Sequence, residues 1–374
     1  MPIKRHHNKK HHLNSDVVWI RQSFEHHSSR SGYDRLCSTL EDKILSDTRS
    51  IWYDKPRRTA EKEHHKSKKD YLWRGLWRHK GTFPELKALL YKPHKKKIIH
   101  VMYGELIMGL IRFNLIKRNS KIVLSIHQTS EWWRNYNIPP SYFENIDAII
   151  VLSSDEKEYF NEKTNGRAHY VPHGIDTDFF SAVSEAQILK RQNRTQFKCL
   201  TVGQWKRDFR TLENVIQSLA NKDRNICFEI VIAEQMINAH PHKSSLHRIF
   251  NHPNVRWHDR ISDRELRTLY QNANVLLLPL ESAVANNSIL EASASGLPIV
   301  ATYVGGTRNY TTDDFSILTK SGNSEEMADA VLTIKNTPDK DFIRSKKARE
   351  YVQKRYSWDI VSEKVIGIYH QLLN

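Results

Sequence analysis

The chain has 374 residues and a formal net charge of +16 at pH 7, with 39% hydrophobic and 27% charged residues. This composition indicates a folded, soluble protein with room for two domains, and no segment approaches the roughly 18 apolar residues that span a bilayer. The three cysteines, Cys37, Cys199 and Cys227, form neither a disulfide framework nor the spacing of a metal site.

The positive charge is concentrated in the first part of the chain. Residues 1–100 hold 24 Lys and Arg against 11 Asp and Glu, a net charge of +13, whereas the remaining residues carry +3. This asymmetry indicates an anionic partner, which could be a phospholipid surface, an acidic glycan, a nucleotide diphosphate or nucleic acid. A solvated basic surface is the alternative, and the sequence holds no recognised nucleic-acid-binding module.

The first half of the chain alternates strand and helix patterns after a basic, His-rich start. Residues 1–15 lack periodicity and the apolar core of a secretory signal, so we expect a disordered tail and a cytoplasmic protein. Apolar runs predict strands, and helical spacing predicts helices between them. Strands are expected at 17–20, 98–102, 122–126, 148–152 and 170–171, and helices at 33–43, 105–116 and after a capping box at 153–156.

Residues 52–81 are a basic and aromatic insertion. In it Trp73 and Trp77 are four positions apart, and the flanking cations are Arg74, Arg78 and Lys80. On a helix these residues would form an aromatic face with a basic rim, a pattern typical of peripheral membrane contact. The alternative is a helix that packs on its own domain.

The second half repeats the alternation more regularly. Two successive alternating halves predict an α/β protein with two doubly wound parallel-sheet domains. The polar residues 181–196 are expected to form the linker or its edge, and residues 338–374 a helical tail. Strands are expected at 198–202, 227–232, 255–257, 275–278 and 299–302, and helices at 211–219, 244–250 and 263–271, the last opened by a capping box at 262–265.

The segment 274–306 is the most informative part of the sequence, with the pattern of strand, loop, short helix, tight turn and strand. Asn286, Asn287 and Ser288 are helix N-cap residue types, and Gly296 is typical of a helix end. In a parallel βαβ unit such a helix begins at the carboxyl edge of the sheet, where its unpaired N–H groups attract phosphate. The segment therefore predicts a nucleotide-phosphate site.

Several motifs, taken in order, resemble the family 4 glycosyltransferases of the GT-B fold. Residues 171–180, VPHGIDTDFF, resemble the interdomain segment of that family, and Val202-Gly203 resembles the start of its second domain. Residues 290–302, LEASASGLPIVAT, closely match the family signature, and residues 263–279 match the run before it. The resemblance extends over residues 17–374, and it is strong from 171 onward and weak in the first hundred residues.

The resemblance implies two Rossmann-like domains that face each other across a cleft. Residues 16–175 would bind the acceptor, residues 176–355 would bind a nucleotide-sugar donor, and residues 356–374 form a helix that could cross back to the first domain. The implied reaction moves a sugar from a nucleotide diphosphate-sugar to a glycan or lipid-linked acceptor. It is expected to retain anomeric configuration and to need no metal or other cofactor, so positive charge and N–H donors must stabilise the departing diphosphate.

Glu291 matches the second glutamate of the family's E-x7-E motif, which implies contact with donor hydroxyls and a part in catalysis. A capping box formed by Ser288 and Glu291 is a second interpretation, compatible with the first. The first glutamate of the motif is missing, because position 283 is alanine and Glu281 lies two residues early. This departure favours an alternative in which the protein is a nucleotide-sugar epimerase or a catalytically degenerate binding protein.

The resemblance places further donor contacts in the loop after residue 202 and at the start of the helix in segment 274–306. Arginine suits phosphate because its fork can bind two oxygens, so we favour Arg207 and Arg210 over Lys206. Exposed loop charges and plain helix capping are the alternatives. The residues expected to contact the donor in this domain are Gly203, Lys206, Arg207, Arg210, Asn286, Asn287, Ser288 and Glu291.

Two residues of the first domain complete the predicted site. Gly32 precedes a predicted helix and would let the backbone approach the diphosphate, although it could be a simple turn glycine. His127 ends a predicted strand, and the resemblance places it near the reacting sugar as a catalytic residue. A structural histidine is the alternative.

The sequence gives no support for a metal site. Asp176-Thr177-Asp178 could be interpreted as the D-x-D site of the other large glycosyltransferase fold, but the triplet lies inside the interdomain motif, and we reject that interpretation. In the same motif His173 replaces the usual asparagine. The paired histidines lack ligand spacing. The expected partners are therefore a nucleotide-sugar donor, a glycan or lipid-linked acceptor and an anionic membrane surface, with nucleic-acid binding as a remote alternative.

Overall fold

The protein, as a computed structural model, divides into two compact units, residues 1–174 with 358–374 and residues 175–357. Each unit contains a six-stranded sheet in which neighbouring strands pair in parallel. The structure describes residues 10–22, 30, 32–52, 79–105, 119–135, 138, 142–237 and 240–374.

The strands of the first unit are β1 Asp16–Arg21, β2 Thr48–Trp52, β3 Lys97–Val101, β4 Ser120–Ile126, β5 Ala148–Val151 and β6 Ala168–Tyr170. Their order in the sheet is β2-β1-β3-β4-β5-β6. The described helices of this unit are α1 Asp34–Lys43, α2 His79–Leu90, α3 Ser130–Asn135, α4 Lys157–Thr164 and, at the end of the chain, α12 Trp358–Leu373.

Apolar runs place β1 and β3 in the middle of this sheet, because every residue of these two strands is buried. Val18 and Ile20 belong to one core cluster. The intervening Trp19 faces the other way and donates its indole N–H to the Tyr369 hydroxyl of α12, at 3.2 Å. Both faces of the sheet are therefore covered, as is usual for parallel sheets.

The strands of the second unit are β7 Phe197–Val202, β8 Ile226–Val231, β9 Val255–His258, β10 Val275–Leu278, β11 Ile299–Thr302 and β12 Ser316–Thr319, in the order β12-β11-β10-β7-β8-β9. Adjacent residues of β10, Leu276 and Leu277, belong to different core clusters, so helices cover both faces of this sheet too. The described helices are α5 Glu185–Gln192, α6 Phe209–Lys222, α7 Lys243–Phe250, α8 Asp263–Asn272, α9 Asn287–Ala294, α10 Ser324–Lys335 and α11 Asp341–Arg355.

The predicted α/β class and all the predicted strands are confirmed, and every strand end lies within two residues of its prediction. Two strands were not predicted, β2 and β12. Both lie at the edge of a sheet and are only partly buried, so their sequences lack the apolar runs of the central strands. The polar segment expected to be a linker contains α5, and the predicted helical tail is interrupted at Tyr356 and Ser357.

Two of the predicted capping boxes have different outcomes. Ser262 and Glu265 form the reciprocal pair at the start of α8, which confirms that prediction. The capping box at 153–156 is wrong in part. Ser153 does accept the N–H of Asp155, but the Glu156 carboxylate accepts the N–H of Ser130, at the start of α3. Glu156 therefore stabilises a neighbouring helix instead of its own.

Some predictions concern residues outside the described ranges. These include the start of the basic tail, most of the helix expected at 105–116, and the Trp73 and Trp77 pair with its flanking arginines. Among the residues that the structure does describe, no helix combines the length and the apolar character needed to cross a membrane.

Gly174 is the last residue of the first of the two chain segments that form the first unit, and it packs against α12. A Cβ at this position would lie 2.2 Å from the ring of Trp358. We therefore expect Gly174→Ala to lower the free energy of unfolding by about 1–3 kcal/mol, because the ring must shift to make room. Urea unfolding followed by tryptophan fluorescence measures the change.

Gly367, inside α12, is the matched control, because a Cβ there meets no atom within 4 Å. Gly367→Ala should raise the free energy of unfolding by roughly 0.5–1 kcal/mol through lower unfolded-state entropy. Equal effects of the two substitutions would show that the contact with Trp358 does not restrict position 174.

Candidate functional site

The carboxyl edge of the second sheet is held together by hydrogen bonds between the loops that follow its strands. The N–H of Leu280, after β10, donates to the Thr302 hydroxyl at the end of β11, at 2.8 Å. The N–H of Glu281 donates to the carbonyl of Lys206 in the loop after β7, at 3.0 Å. Three neighbouring strand ends therefore meet in one connected structure.

Arg207 is the central residue of the loop after β7. Its guanidinium is buried and donates to the carbonyl of Val202, at 2.8 and 3.0 Å, and to the carbonyl of Trp205, at 2.9 Å. The same group also donates to the hydroxyl of Ser288 in α9, at 3.1 Å. Burial lowers the pKa of Arg207 to about 10, so the side chain stays charged at neutral pH.

Gly203 makes this arrangement possible. It adopts a left-handed φ of 84°, which favours glycine, and a Cβ at this position would lie 3.0 Å from the Arg207 guanidinium. The loop can therefore fold back over the end of β7 and bring the arginine against α9.

The first turn of α9 has a regular N-terminal cap. The Asn286 side chain accepts the N–H of Ile289, at 3.3 Å, and Asn287 is the first helical residue. The Ser288 hydroxyl donates to the carbonyl of Val202, at 3.2 Å. The backbone N–H groups of this turn lie at the carboxyl edge of the sheet, next to the charge of Arg207, which is favourable for an anion.

Glu291 lies one turn further along α9 and is buried. Its Oε2 accepts a hydrogen bond from the Tyr270 hydroxyl of α8, at 2.8 Å. Burial and the charge of Glu291 raise the pKa of Tyr270 well above its usual value, so the phenol remains a donor. The predicted capping box of Ser288 and Glu291 is wrong, because Asn286 is the cap and each of the two residues bonds to another element.

Lys206 and Arg210 have exposed side chains, in contrast to Arg207. Lys206 has a left-handed φ of 56°, and its Nζ lies 5.9 Å from the centre of the Trp205 ring. Arg210 lies in the first turn of α6. Of the three predicted phosphate contacts, the structure therefore brings only Arg207 into hydrogen-bonding contact with α9.

Position 283, where the family motif has glutamate, is part of a tight crossing of two loops. The carbonyl of Ala283 accepts the N–H of Gly306, at 2.9 Å. A Cβ on Gly305 would lie 2.2 Å from that carbonyl oxygen, and Gly305 has a left-handed φ of 45°. Oε1 of Glu281 lies 2.8 Å from Nε2 of the His242 ring.

In the first unit, His127 follows β4 at the carboxyl edge of its sheet. Its Nε2 lies 2.8 Å from the carbonyl of Met102, and its ring stacks on that of Tyr103 with centres 4.3 Å apart. The Tyr33 ring meets it edge-on at 4.6 Å. Gly32 precedes Tyr33, and its carbonyl accepts the N–H of Arg35 at the start of α1, at 3.0 Å.

His173, the departure from the interdomain motif, is buried in the first unit. Its ring centre lies 5.5 Å from that of Tyr33 and 5.2 Å from that of Trp358. Its Nδ1 is 2.7 Å from the carbonyl of Gly174, and burial lowers its pKa to about 4. Its described contacts are thus those of a neutral, packed imidazole.

The structure describes no cluster of three or more His, Cys, Asp and Glu side chains that could hold a metal ion. The Asp176 carboxylate accepts the backbone N–H groups of Asp178 and Phe179, at 3.2 and 2.9 Å, as the first residue of a turn.

Part of the second unit matches a known protein family. Residues 196–336 match the family model described as Glycosyl transferases group 1. These residues therefore form a glycosyl transferases group 1 domain. It contains the loop of Arg207, the start of α9 and Glu291, and the resemblance found in the sequence is confirmed.

Sequence relatives of the chain include two bacterial proteins. A GDP-mannose-dependent alpha-(1-6)-phosphatidylinositol monomannoside mannosyltransferase of Mycobacterium tuberculosis is 23% identical over 269 residues, 66% of this chain and 68% of that protein. A D-inositol 3-phosphate glycosyltransferase of Saccharomonospora viridis is 31% identical over 111 residues. That alignment covers 29% of this chain, and it spans only 26% of the relative's length.

Solved structures extend the likeness to both units. A glycosyltransferase from Rickettsia africae has a TM-score of 0.69 and 15% identity, with 96% of this chain and 99% of that chain covered. An Anabaena protein, HepE, solved with UDP and glucose, has a TM-score of 0.68 and 14% identity, with 96% and 100% covered. At this identity the likeness shows the fold, which is GT-B.

Sequence reasoning missed two residues that contact the predicted ones. In the second unit, Tyr270, the partner of Glu291, lies within the motif run at 263–279, but nothing in the motif gave it a role. In the first unit, Glu105 Oε1 accepts the N–H groups of His127 and Gln128, the latter at 2.7 Å.

Glu105 leads to a prediction about pH. Burial raises its pKa to about 7, from 4.5, even though two N–H groups bind one oxygen. The folded state therefore holds this proton more tightly than the unfolded state, and the stabilisation present below about pH 4.5 is lost as pH rises through about 7. The loss amounts to roughly 3 kcal/mol at most.

Urea unfolding of the wild type and of Glu105→Gln between pH 5 and pH 9 measures this effect. The wild type should lose stability relative to the glutamine variant as pH rises, because the amide cannot ionise. Parallel stability curves for the two proteins would contradict the raised pKa.

Proposed function

We propose that the chain is a glycosyltransferase that takes a sugar from a nucleotide diphosphate-sugar and gives it to a glycan or lipid-linked acceptor. The observation that carries this proposal is the hydrogen-bonded link from Arg207 to Ser288 inside the glycosyl transferases group 1 domain. It places a buried cation beside the N-terminus of α9, and a diphosphate is the ligand that such a combination favours.

The donor's diphosphate lies against the first turn of α9 in this proposal. The negative charge faces the positive end of the helix and the N–H groups of Asn287 and Ser288. Arg207 adds a positive charge, and most of its N–H groups donate to protein atoms. Because these groups are held in place before the donor arrives, they need little rearrangement as charge develops on the leaving group. Glu291, fixed by Tyr270, accepts hydrogen bonds from donor hydroxyls.

The reaction breaks the bond between the anomeric carbon and the diphosphate oxygen, and the electron pair stays on the diphosphate. The acceptor oxygen forms the new bond to the anomeric carbon, and its proton passes to the departing diphosphate. We propose, from the family resemblance, that the anomeric configuration is retained. We also propose that no metal takes part, because the helix N-terminus and Arg207 supply the stabilisation of the leaving group. His127 contacts the sugar or the acceptor from the first unit.

The names of similar proteins support a donor of this class. The mycobacterial relative is named as dependent on GDP-mannose, and HepE was solved with UDP. We also propose that the basic residues of the first hundred positions draw the protein to anionic membrane surfaces from the cytoplasm, where a lipid-linked acceptor would lie.

Thermal unfolding in the presence of UDP-, GDP- and ADP-sugars tests donor binding, because a ligand that binds the native state raises the melting temperature. At least one nucleotide sugar should raise it, and the same compound should be consumed when acceptors are supplied. Binding without consumption, or conversion of the sugar to its epimer, would favour the alternative that Ala283 suggests.

Glu291→Gln tests the role of the carboxylate, since the amide oxygen can still accept from Tyr270. We expect the variant to keep its melting temperature within a few degrees and to bind the donor at least about 10-fold more weakly, a loss typical of a charge-assisted bond. Glu213→Gln is the control, because Glu213 pairs with Arg248 on α7 instead. Calorimetric titration of both variants with the stabilising nucleotide sugar gives the comparison, and equal affinities would exclude donor contact by Glu291.

Arg207→Lys separates the effect of the hydrogen-bonding geometry of the guanidinium from the effect of its charge. A lysine keeps a positive charge but cannot reach the carbonyls of Val202 and Trp205 and the hydroxyl of Ser288 together. Donor affinity should fall about 10-fold or more, whereas Arg210→Lys should leave it nearly unchanged because charge alone is needed at an exposed position. If Arg207→Lys bound the donor like the wild type, the hydrogen-bonding geometry of the guanidinium would be irrelevant to binding.

A further inference from the structure

Two segments at the carboxyl edge of the first sheet, residues 102–105 after β3 and residues 125–128 at the end of β4, are joined by one acidic side chain. Glu105 Oε1 accepts the backbone N–H groups of both His127 and Gln128. One carboxylate oxygen therefore fixes two successive peptide units of the loop that carries His127.

Three further contacts connect the same segments. The N–H of Gly104 donates to the carbonyl of Ser125, at 2.8 Å. His127 Nε2 lies 2.8 Å from the carbonyl of Met102, and because a carbonyl can only accept, Nε2 carries the hydrogen. The Tyr103 ring stacks on the imidazole. The backbone and the ring of His127 are thus both held by residues 102–105.

Glu105 is the acidic group here whose ionisation falls in the neutral range. Its Oε2 is buried, without a hydrogen-bond partner among the residues that the structure describes, and burial raises its pKa to about 7. Burial also raises the pKa values of Tyr33, Tyr103 and Cys37, which keeps all three neutral. Among the residues that the structure describes, His127, His173 and Asp34 also face this cluster, and the Asp34 carboxylate pairs with Arg21.

We propose that Glu105 is a positioning residue for His127, and that its carboxylate, by holding the two peptide N–H groups, sets the orientation of the imidazole used in sugar transfer. This inference rests on the proposed function for its catalytic consequence, but the contact itself can be tested without turnover. The oxygen that accepts the two N–H groups can do so in the acid as well as in the carboxylate, and burial disfavours the charged form. The loop that carries His127 is therefore held most firmly when Glu105 keeps its proton.

Hydrogen exchange of the His127 and Gln128 amides tests the contact directly. Glu105→Ala should lower the protection of both amides at least 10-fold, and Glu105→Gln should keep most of it because its oxygen still accepts. Glu156→Ala is the matched control, since Glu156 is a buried carboxylate that accepts the N–H of Ser130 after the same strand. It should expose the Ser130 amide alone.

Unchanged protection at 127 and 128 in Glu105→Ala would overturn the proposal. If that variant does not fold, the wild type and Glu105→Gln decide the matter. The protection of the two amides should fall as pH rises through about 7 in the wild type, because opening of the loop lets the carboxyl ionise in water, and it should not change with pH in the glutamine variant. A pH-independent protection in the wild type would overturn the proposal equally.

The consequence for turnover is a pH profile. In the wild type, kcat/KM for the nucleotide sugar should fall as pH rises through an apparent pKa near 7, and this limb should be absent in Glu105→Gln and present in Glu156→Gln. A limb that persists in Glu105→Gln would belong to His127 itself and would overturn the positioning role. A wild type that binds and consumes no nucleotide sugar would instead remove the proposed function, while the exchange result would still decide the contact.

Discussion

The buried guanidinium of Arg207 is the interaction on which the candidate site depends. It binds the carbonyl at the end of β7, a carbonyl of its own loop and the hydroxyl of Ser288, so that strand, loop and helix hold one geometry. A charged group without water is costly unless its donors find partners, and here hydrogen bonds engage four of the five guanidinium N–H groups. The left-handed backbone of Gly203 leaves the space that the side chain occupies. A cation and a helix N-terminus are thus set side by side before any ligand binds.

Much of the fold could be predicted because buried parallel strands have continuous apolar sequences. Val275–Leu278 and Ile299–Thr302 are fully buried and were predicted to the residue. The edge strands Thr48–Trp52 and Ser316–Thr319 were missed because solvent covers part of each, so their sequences resemble loops. The capping box at Ser262 was predicted correctly because both partners lie within one turn of the chain. The one at 153–156 was not, because the Glu156 carboxylate binds the distant Ser130.

The candidate site could be located from its sequence, but its contacts could not. The N-cap residues before α9 and the glycine after β7 are local signals, and both lie at the same sheet edge in the structure. The bond from Arg207 to Ser288 joins residues 81 positions apart, and the bond from Glu105 to His127 joins residues 22 apart. Such pairings are decided by strand order and loop shape, which no single motif encodes. The expected capping box of Ser288 and Glu291 failed for the same reason.

The central claim is that an activated sugar binds with its diphosphate at the start of α9. A crystal structure of the protein soaked with the nucleotide sugar that raises its melting temperature tests this most directly. We expect electron density for the diphosphate within about 3 Å of the N–H groups of Asn287 and Ser288, with the sugar hydroxyls towards Glu291. Density for the compound away from Gly203, α9 and Glu291 would contradict the account.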